Sequence, residues 1–586
     1  MNRSLAAIFV SITFLLLLQS CMPEEKSIFT VNMPEKSWLP YLAFDNSTYH
    51  DYGYIPDWEW LFLLSDDSTW QVSTFPNFNE AQPVSIPHRL LAPNTPFWYK
   101  HIIHEDIDDK AVFFINADDG VQVFLNDLQI PVEHGFFYPI ESLRSGDELV
   151  LRVLNDAGSG GIRELKILTE NEFDDIVQYN DSAFDSLCLT IKALQYADTL
   201  IASDRLTLLS TPNIKTQIED KNLPYFTVFP YIIQTDQGPL EISVASHNAT
   251  AAFIDMKMKG GEIKRKKMSP IGEFFHITVD AYEWRNDVKA YRVVLDDRAA
   301  TSYIDLPEQS DRDGLKVALW SDSQGGWSTF HDICTSIAGS DIDYHMGLGD
   351  LVATGYVKSQ WKEFFIAGHE AFKSVPGIFI AGNHDYDGYY DDGLAKLIKN
   401  YILRENYKPV RSYQNGDVYF LMIDLNASFP IGVWHDSNHR AKIKEIIGDD
   451  AWKEARYRVL LVHQPSVGEA DGGYDGEPAT RDVIRGIRAI SNGVDLVVSG
   501  HNHVYERKVI NDEEYGRYLQ LTVGGAGRVN ETVTNPEFSF MDTVLQKHHF
   551  AIAHFQNDKI NIKVLSPSGE LFDNLEYYTH PQNEKE

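Results

Sequence analysis

The chain has 586 residues, with 51 Lys and Arg against 85 Asp and Glu, a formal net charge of −34. At roughly 150 residues per domain that length suggests three to four domains, and 43% hydrophobic and 12% aromatic content excludes a disordered chain. The acidity excludes a general binder of long nucleic acid, which needs a basic surface, and argues against electrostatic docking on anionic lipid. The three cysteines, Cys21, Cys188 and Cys334, make no disulfide scaffold.

Arg3 precedes an apolar run from Leu5 to Leu18, broken only by Ser11 and Thr13. That is signal-peptide length and too short for a comfortable membrane span. The segment Leu18-Gln19-Ser20-Cys21 resembles a bacterial lipoprotein signal box. The resemblance implies a signal over residues 1–21, cleavage before Cys21 and a diacylglyceryl thioether on its sulfur. The chain would then be lipid-anchored in a bacterial cell envelope, at the outer membrane, facing the periplasm or the surface. An ordinary secretory signal that contains a Cys is the alternative. Cys188 and Cys334 would remain as a pair or as two buried thiols. Residues 22–40, with Pro23, Pro34 and Pro40, read as a tether.

From 41 to 168 the texture is β. Runs such as Ala111–Ile115 and Val121–Leu125 suggest alternation, and turn signals such as Ser145-Gly146-Asp147 separate them. The pattern predicts an all-β sandwich. The segments Ile86–Arg89, Phe97–Lys100, Ala117–Asn126 and Gly146–Asn155 resemble galactose-binding-like jelly-roll domains. Such a domain either binds a glycan or packs against a catalytic domain. Residues 169–212 carry helical spacing and predict one or two linker helices. From 213 to 308 alternation returns and predicts a fibronectin- or immunoglobulin-like sandwich. Its Lys264–Lys267 run reads as a solvated hairpin tip.

The chemistry lies further on. Lys316–Trp320 leads to Asp322 and Gln324, Tyr344–Leu348 to Asp350, and Gly377–Ala381 to Asn383 and His384. Val459–Val462 leads to His463, and Val494–Val498 to His501 and His503. Five apolar strands thus end at Asp, Asn or His. In α/β folds the carboxyl ends of strands converge on one crevice. The resulting set suits Fe, Zn, Mn or Mg. Two ions could share one carboxylate. The ligands stand 28, 33, 80 and 38 residues apart, too ordered for chance turns. Glycines before Asp350, Asn383 and His501 suit sharp strand-end turns.

Residues 315–506 resemble the calcineurin-like metallophosphoesterase superfamily, on Gly349-Asp350, Gly382-Asn383-His384-Asp385, His463 and Gly500-His501-Asn502-His503. The segment Gly500–Arg507 and the preceding sandwich resemble purple acid phosphatases in particular. The resemblance implies a two-sheet α/β sandwich over 313–580, behind the two β domains. It also implies two divalent or trivalent metals (Fe, Zn or Mn) that activate water for in-line attack on a phosphate ester. The first metal would take Asp322 and His503, the second Asn383, His463 and His501, and Asp350 would bridge them. His384 would be the acid near the leaving group, at home with an intrinsic pKa near 6.5.

Two positions depart from the pattern. Gln324 stands where many members have a His ligand, though its amide oxygen can coordinate more weakly. Ala353 stands where purple acid phosphatases have Tyr and others Asp, so a purple Tyr–Fe(III) pair is not expected. The expected activity is phosphatase-type hydrolysis of a small phosphorylated substrate. A phosphodiesterase or nucleotide hydrolase, and a carbohydrate-binding protein with a degenerate metallophosphoesterase domain, are the alternatives. Membrane contact is expected only through the N-terminal lipid. His345 and His369 read as packed or exposed residues rather than ligands. Val523–Gly527 reads as a turn near the crevice, and Tyr474 as a candidate wall of it.

Overall fold

Among the described residues, five β-sheets organise the chain. The computed structural model describes residues 28–42 and 70–579, apart from 75, 80, 91–94, 118–119, 134–135, 156–159, 198–204, 212–214, 216–218, 221, 237, 309–312, 387–395, 404–406, 429–431, 470–475 and 530–539. The leader with Cys21, and Tyr474, lie outside the described residues.

The first body is an antiparallel sandwich. Its six-stranded sheet runs Gln82–Val84, Trp70–Ser73, Thr95–Ile102, Glu148–Asn155, Val121–Leu125, Leu128–Ile130. Its four-stranded sheet runs His88–Leu90, Gly160–Thr169, Ala111–Ala117, Phe137–Ile140. Trp70, Tyr99, Phe113 and Leu151 fill the space between. The alternation expected in Ala111–Ile115 is absent, because every residue of Ala111–Ala117 is buried. The inward face meets the sandwich core. On the outer face Val112 and Phe114 join Phe173 and Ile176 of the following helix.

That helix is Glu170–Tyr196. Thr169 caps it: Glu172 N donates to Thr169 Oγ1 at 3.3 Å, and Thr169 N donates to Glu172 Oε2 at 2.7 Å. This reciprocal box satisfies two donors that a helix start would otherwise leave open. The first half covers the sandwich. In the second half Leu187, Ile191 and Leu194 enter the next core, so one rigid element joins two bodies. A short second helix, Arg205–Ser210, follows. Among the described residues no helix is long and apolar enough to cross a membrane.

Residues 28–42 are not a free tether. Phe29–Thr30 pairs in parallel with Ala299–Ala300, and Val31, Trp38 and Leu42 are buried in the second core. The region expected as a separate second sandwich also differs. One of its sheets is self-contained, with Val288–Leu295, Ala252–Met258 and Ile263–Lys267 adjacent. The basic run is therefore an edge strand, not a hairpin tip. Arg265 pairs with Asp255 and Asp297, and Lys264 with Glu283. The other sheet is continuous with the one that carries Leu315–Trp320, Tyr344–Leu348 and Gly377–Ile380. Ten strands run Ser269–Ile271, Phe274–Val279, Leu240–His247, Tyr225–Gln234, Gly377–Ile380, Tyr344–Leu348, Leu315–Trp320, Phe550–Phe555, Ile560–Leu565, Leu571–Tyr577. At the join Ile233 is in parallel register with Gly377.

A seven-stranded sheet faces this one. It runs Val410–Asn415, Val418–Ile423, Tyr457–Leu461, Leu496–Ser499, Gly516–Val523, Tyr505–Asp512, Thr543–Leu545. Val317, Met346, Phe420, Val459 and Val498 close the space between the two sheets. Trp327–Ala338 and Lys358–Ala367 cover one outer face, through Phe330, Trp361 and Phe364. Ser437–Gly448 and Pro478–Ile490 cover the other, through Ile443, Ile447, Val483 and Ile487. Buried on both faces, the parallel strands read as continuous apolar runs.

Candidate metal centre

Three strands of the ten-stranded sheet and two of the seven-stranded sheet end at a common rim, so the crevice is shared by two sheets. Asp350, His463 and His501 offer ligand atoms within 4.8 Å of one another. Asp322, Asp350 and His503 do the same. Asp350 belongs to both groups. Gln324 joins them through Nε2, which donates to Asp350 Oδ2.

The backbone is strained where the predicted ligands leave their strands. Asp322, Asp350 and His501 sit at φ of +62°, +50° and +69°. Such values are uncommon outside glycine and persist only when the surroundings enforce them. Of the three flanking glycines, only Gly349 itself needs positive φ, at +94°. Gly382 and Gly500 are required by close approach instead. A Cβ on Gly382 would lie 2.1 Å from Asp350 Oδ1, and one on Gly500 would lie 2.4 Å from Asp322 Oδ2.

Hydrogen bonds fix the imidazoles. His463 Nδ1 donates to Leu348 O at 2.7 Å, which leaves Nε2 3.2 Å from Asp350 Oδ1. His384 N donates to Asp350 Oδ1 at 3.0 Å, and its Nδ1 donates to Ala353 O at 2.9 Å. Ala353, with no side-chain donor, therefore meets His384 through its carbonyl, and Nε2 is the other ring nitrogen of His384. His503 Nε2 lies 3.5 Å from Asp322 Oδ1, and His501 N donates to Asp322 Oδ2 at 3.0 Å.

Burial opposes charge on Asp350, yet His463 and His384 outweigh it and hold the carboxyl well below its usual range. His463 is buried too, and Asp350 nevertheless lifts it to about 10. His384 differs from the sequence expectation. Burial first, then Arg528 and His503, lower its pKa against the pull of Asp350, so the ring favours the neutral form near neutrality.

Three buried oxygens, Asp322 Oδ1, Gln324 Oε1 and Asn383 Oδ1, have no hydrogen-bond partner among the described residues. Each such acceptor costs about 1–3 kcal/mol if left unmet. Bound cations would satisfy them, and the mixture of carboxylate, amide oxygen and imidazole fits Zn, Fe or Mn. The donor set therefore fits the implied metals.

Other residues were not singled out by the sequence. Asp385 accepts from Gly382 N, Leu351 N and Val352 N at 2.9, 2.9 and 3.3 Å, tying two ligand loops together. Asp424 accepts from Tyr386 and Tyr407 hydroxyls, both at 2.7 Å, and from Asn426 N at 3.0 Å. Asn426 in turn accepts from Gln464 Nε2 at 2.8 Å, so this network braces the chain beside both His384 and His463. Asp424 obeys the same signal as the ligands, a carboxylate just after a buried parallel strand, Val418–Ile423. His345 and His369 are buried and packed, as expected: His345 stacks on Phe372, and His369 meets Phe229 edge-on. Cys188 and Cys334 are buried free thiols.

Residues 315–505 match the family model described as calcineurin-like phosphoesterase. No curated protein matches the chain significantly. Among solved structures, the chain is similar to a purple acid phosphatase from yellow lupin (Lupinus luteus) seeds, at 14% identity over 83% of this chain and 92% of that one, with a TM-score of 0.49. It is also similar to PhoD, at 11% identity over 62% and 94%, with a TM-score of 0.47. A third is GAP50, the anchor in the inner membrane complex of Plasmodium, at 18% identity over 46% and 91%, with a TM-score of 0.36.

Proposed function

We propose, for a chain whose residues 315–505 form a calcineurin-like phosphoesterase domain, that it hydrolyses small phosphate esters with two metal ions. The observation that carries this reading is the membership of Asp350 in both ligand groups. Asp322, Gln324, Asp350 and His503 would hold one ion, and Asp350, Asn383, His463 and His501 the other. Bound metals in such a site lower the pKa of water and offset the charge of the phosphoryl group.

The chain's own residues do the rest. The Leu348 carbonyl fixes the tautomer of His463 and so presents Nε2 as a ligand. The Ala353 carbonyl fixes His384, whose Nε2 exchanges a proton at the leaving-group oxygen.

The test is phosphate release from aryl phosphates after metal replacement, with metal content measured in parallel. Asp350→Asn should abolish turnover and reduce bound metal; metal-dependent turnover at the wild-type rate would sink the proposal. A ligand-poor first site is the second reading, favoured by Gln324, whose amide nitrogen rather than oxygen faces Asp350. Under one metal per chain, without turnover, would support it.

The export reading rests on the Leu18–Cys21 segment. It requires an acyl mass on a mature N-terminal peptide that begins at Cys21, and an unmodified Cys21 would refute it. Glycan capture by the first sandwich rests only on its sequence likeness; a glycan-array screen without hits would remove it.

A further inference from the structure

Arg528 stands just beyond the strand Gly516–Val523, after the turn Gly524-Gly525-Ala526-Gly527. This turn lies against the Asp322 loop. Ala526 N donates to Ser321 O at 3.1 Å, and Gly527 N and Arg528 N both donate to Asp322 O, at 2.9 and 3.3 Å. A Cβ on Gly527 would lie 1.9 Å from Ser323 O, so the backbone ahead of Arg528 has no room to shift. The position of Arg528 relative to the metal centre is thereby fixed.

The side chain is half-buried, and its Nε donates to Gln324 O at 3.3 Å. Its charge acts on His384. Its two terminal nitrogens have no acceptor among the described residues, and no described carboxylate pairs with it. The chain carries 85 acidic side chains against 51 basic ones, so carboxylates are abundant. A guanidinium held at a predicted metal-ligand loop, with both terminal nitrogens open among the described residues, suits an oxyanion, which it can bind through two parallel N–H donors.

We propose that Arg528 binds a terminal oxygen of the substrate's phosphoryl group and selects phosphate monoesters over diesters. This rests on the hydrolase reading of the same site. A monoester phosphoryl group presents three terminal oxygens and up to two negative charges. A diester presents two terminal oxygens and one charge, and carries an organic group on the third. A fixed cation with open donors beside the ligand loops gains from the third oxygen only in the monoester. Arg528 also stands on the side of the centre where Gln324 replaces a stronger ligand, so it adds positive charge where the ligand set is thinnest.

The experiment compares the metal-loaded wild type with Arg528→Met and Arg528→Lys. It measures kcat/KM on an aryl phosphate and on the matching bis-aryl phosphate, and binding of inorganic phosphate by calorimetry. Metal content and thermal unfolding establish that the variants are folded and loaded. Arg528→Met should lose about 100-fold on the monoester, as expected for a charge-assisted pair of hydrogen bonds, with the diester changed by less than about threefold. Phosphate affinity should fall by a similar factor. Arg528→Lys should recover only part of the loss, because a point charge lacks the fork. Equal losses on both esters, or no change in phosphate affinity, would overturn the proposal. If the wild type turns over neither ester but its phosphate binding still depends on Arg528, the hydrolase reading fails and the anion site stands.

Discussion

Gly382 offers a direct test of how tightly the centre is built. Adding one methyl group, Gly382→Ala, places a Cβ 2.1 Å from Asp350 Oδ1 and 2.3 Å from Asp350 N. Neither neighbour is a flexible side-chain end, since the carboxylate is buried and held by His384 N and Gln324 Nε2. Carbon atoms at Cβ positions do not approach closer than 3.0 Å, so the two loops must part by about 0.9 Å. A misplacement of about 1 Å in a catalytic constellation costs on the order of 100-fold in rate. The overpacking itself should cost about 1–3 kcal/mol, a few degrees of melting temperature. The assay is steady-state phosphate release with metal content and thermal unfolding measured on the same samples. Gly448→Ala, where an added Cβ meets nothing within 4 Å, is the control. A Gly382→Ala protein with wild-type turnover would refute the close-approach argument. So would one that loses stability but keeps its rate.

Further outcomes follow from features away from the metal ligands. Asp424→Asn should lower turnover about tenfold and stability by about 1–3 kcal/mol, because an amide cannot accept from both tyrosine hydroxyls and Asn426 together. The variant should lose rate with little change in KM for an aryl phosphate, and an unchanged rate would remove Asp424 from the positioning network. Asp255 is buried, which alone would raise its pKa, but Arg265 and Arg292 outweigh that and hold it below 3.8. A depressed carboxyl pKa gives stability that is present above the unfolded value and is lost as pH falls through the folded one. Asp255→Asn should therefore cost about 1–3 kcal/mol at pH 7, and the gap to wild type should close below about pH 4. Denaturant titrations at pH 7 and pH 3 measure both, and a gap independent of pH would contradict the ion-pair assignment.

The candidate metal centre was legible because each predicted ligand needs its own side chain at the end of its own strand. Asp322, Asp350, Asn383, His463 and His501 carry both chemistry and position in the sequence, and Asp322, Asp350, His463, His501 and His503 fall into two groups that share Asp350. Gln324 and Ala353 were legible as departures. Their replacement roles were not, since the contact of Ala353 is made by a carbonyl that every residue possesses. The positive φ of Asp322, Asp350 and His501 leaves only a faint mark in residue type: Asp and His adopt it more readily than most residues, but both types are common elsewhere and tertiary contacts decide where it occurs. Gly382 and Gly500 were visible, but for a different reason than turn geometry. The join between the two β regions was invisible for a related cause. Tyr225–Gln234 is buried at nine of its ten positions, and backbone pairing carries no signature of which strand lies beside it. The helix joining the sandwich to the rest was legible from its spacing. The docking of residues 28–42 was not, because it depends on a two-residue strand and three buried anchors.

The ten-stranded sheet has a consequence for how this protein can be divided. A chain cut near residue 313 would keep every predicted metal ligand and still fit the matched family region. It would also strip Tyr225–Gln234 from Gly377–Ile380. At Gly377 the strand that leads into Asn383 and His384 would lose its one backbone neighbour on that side, Ile233, and would be left as the edge of the sheet, a template for pairing with other copies. The removed half would also take Val228, Tyr231 and Phe274 out of the core shared with Trp361 and Tyr401. The smallest folded unit that holds the predicted ligands is therefore larger than the matched family region, because the β region in front of it covers a sheet edge and completes a shared core.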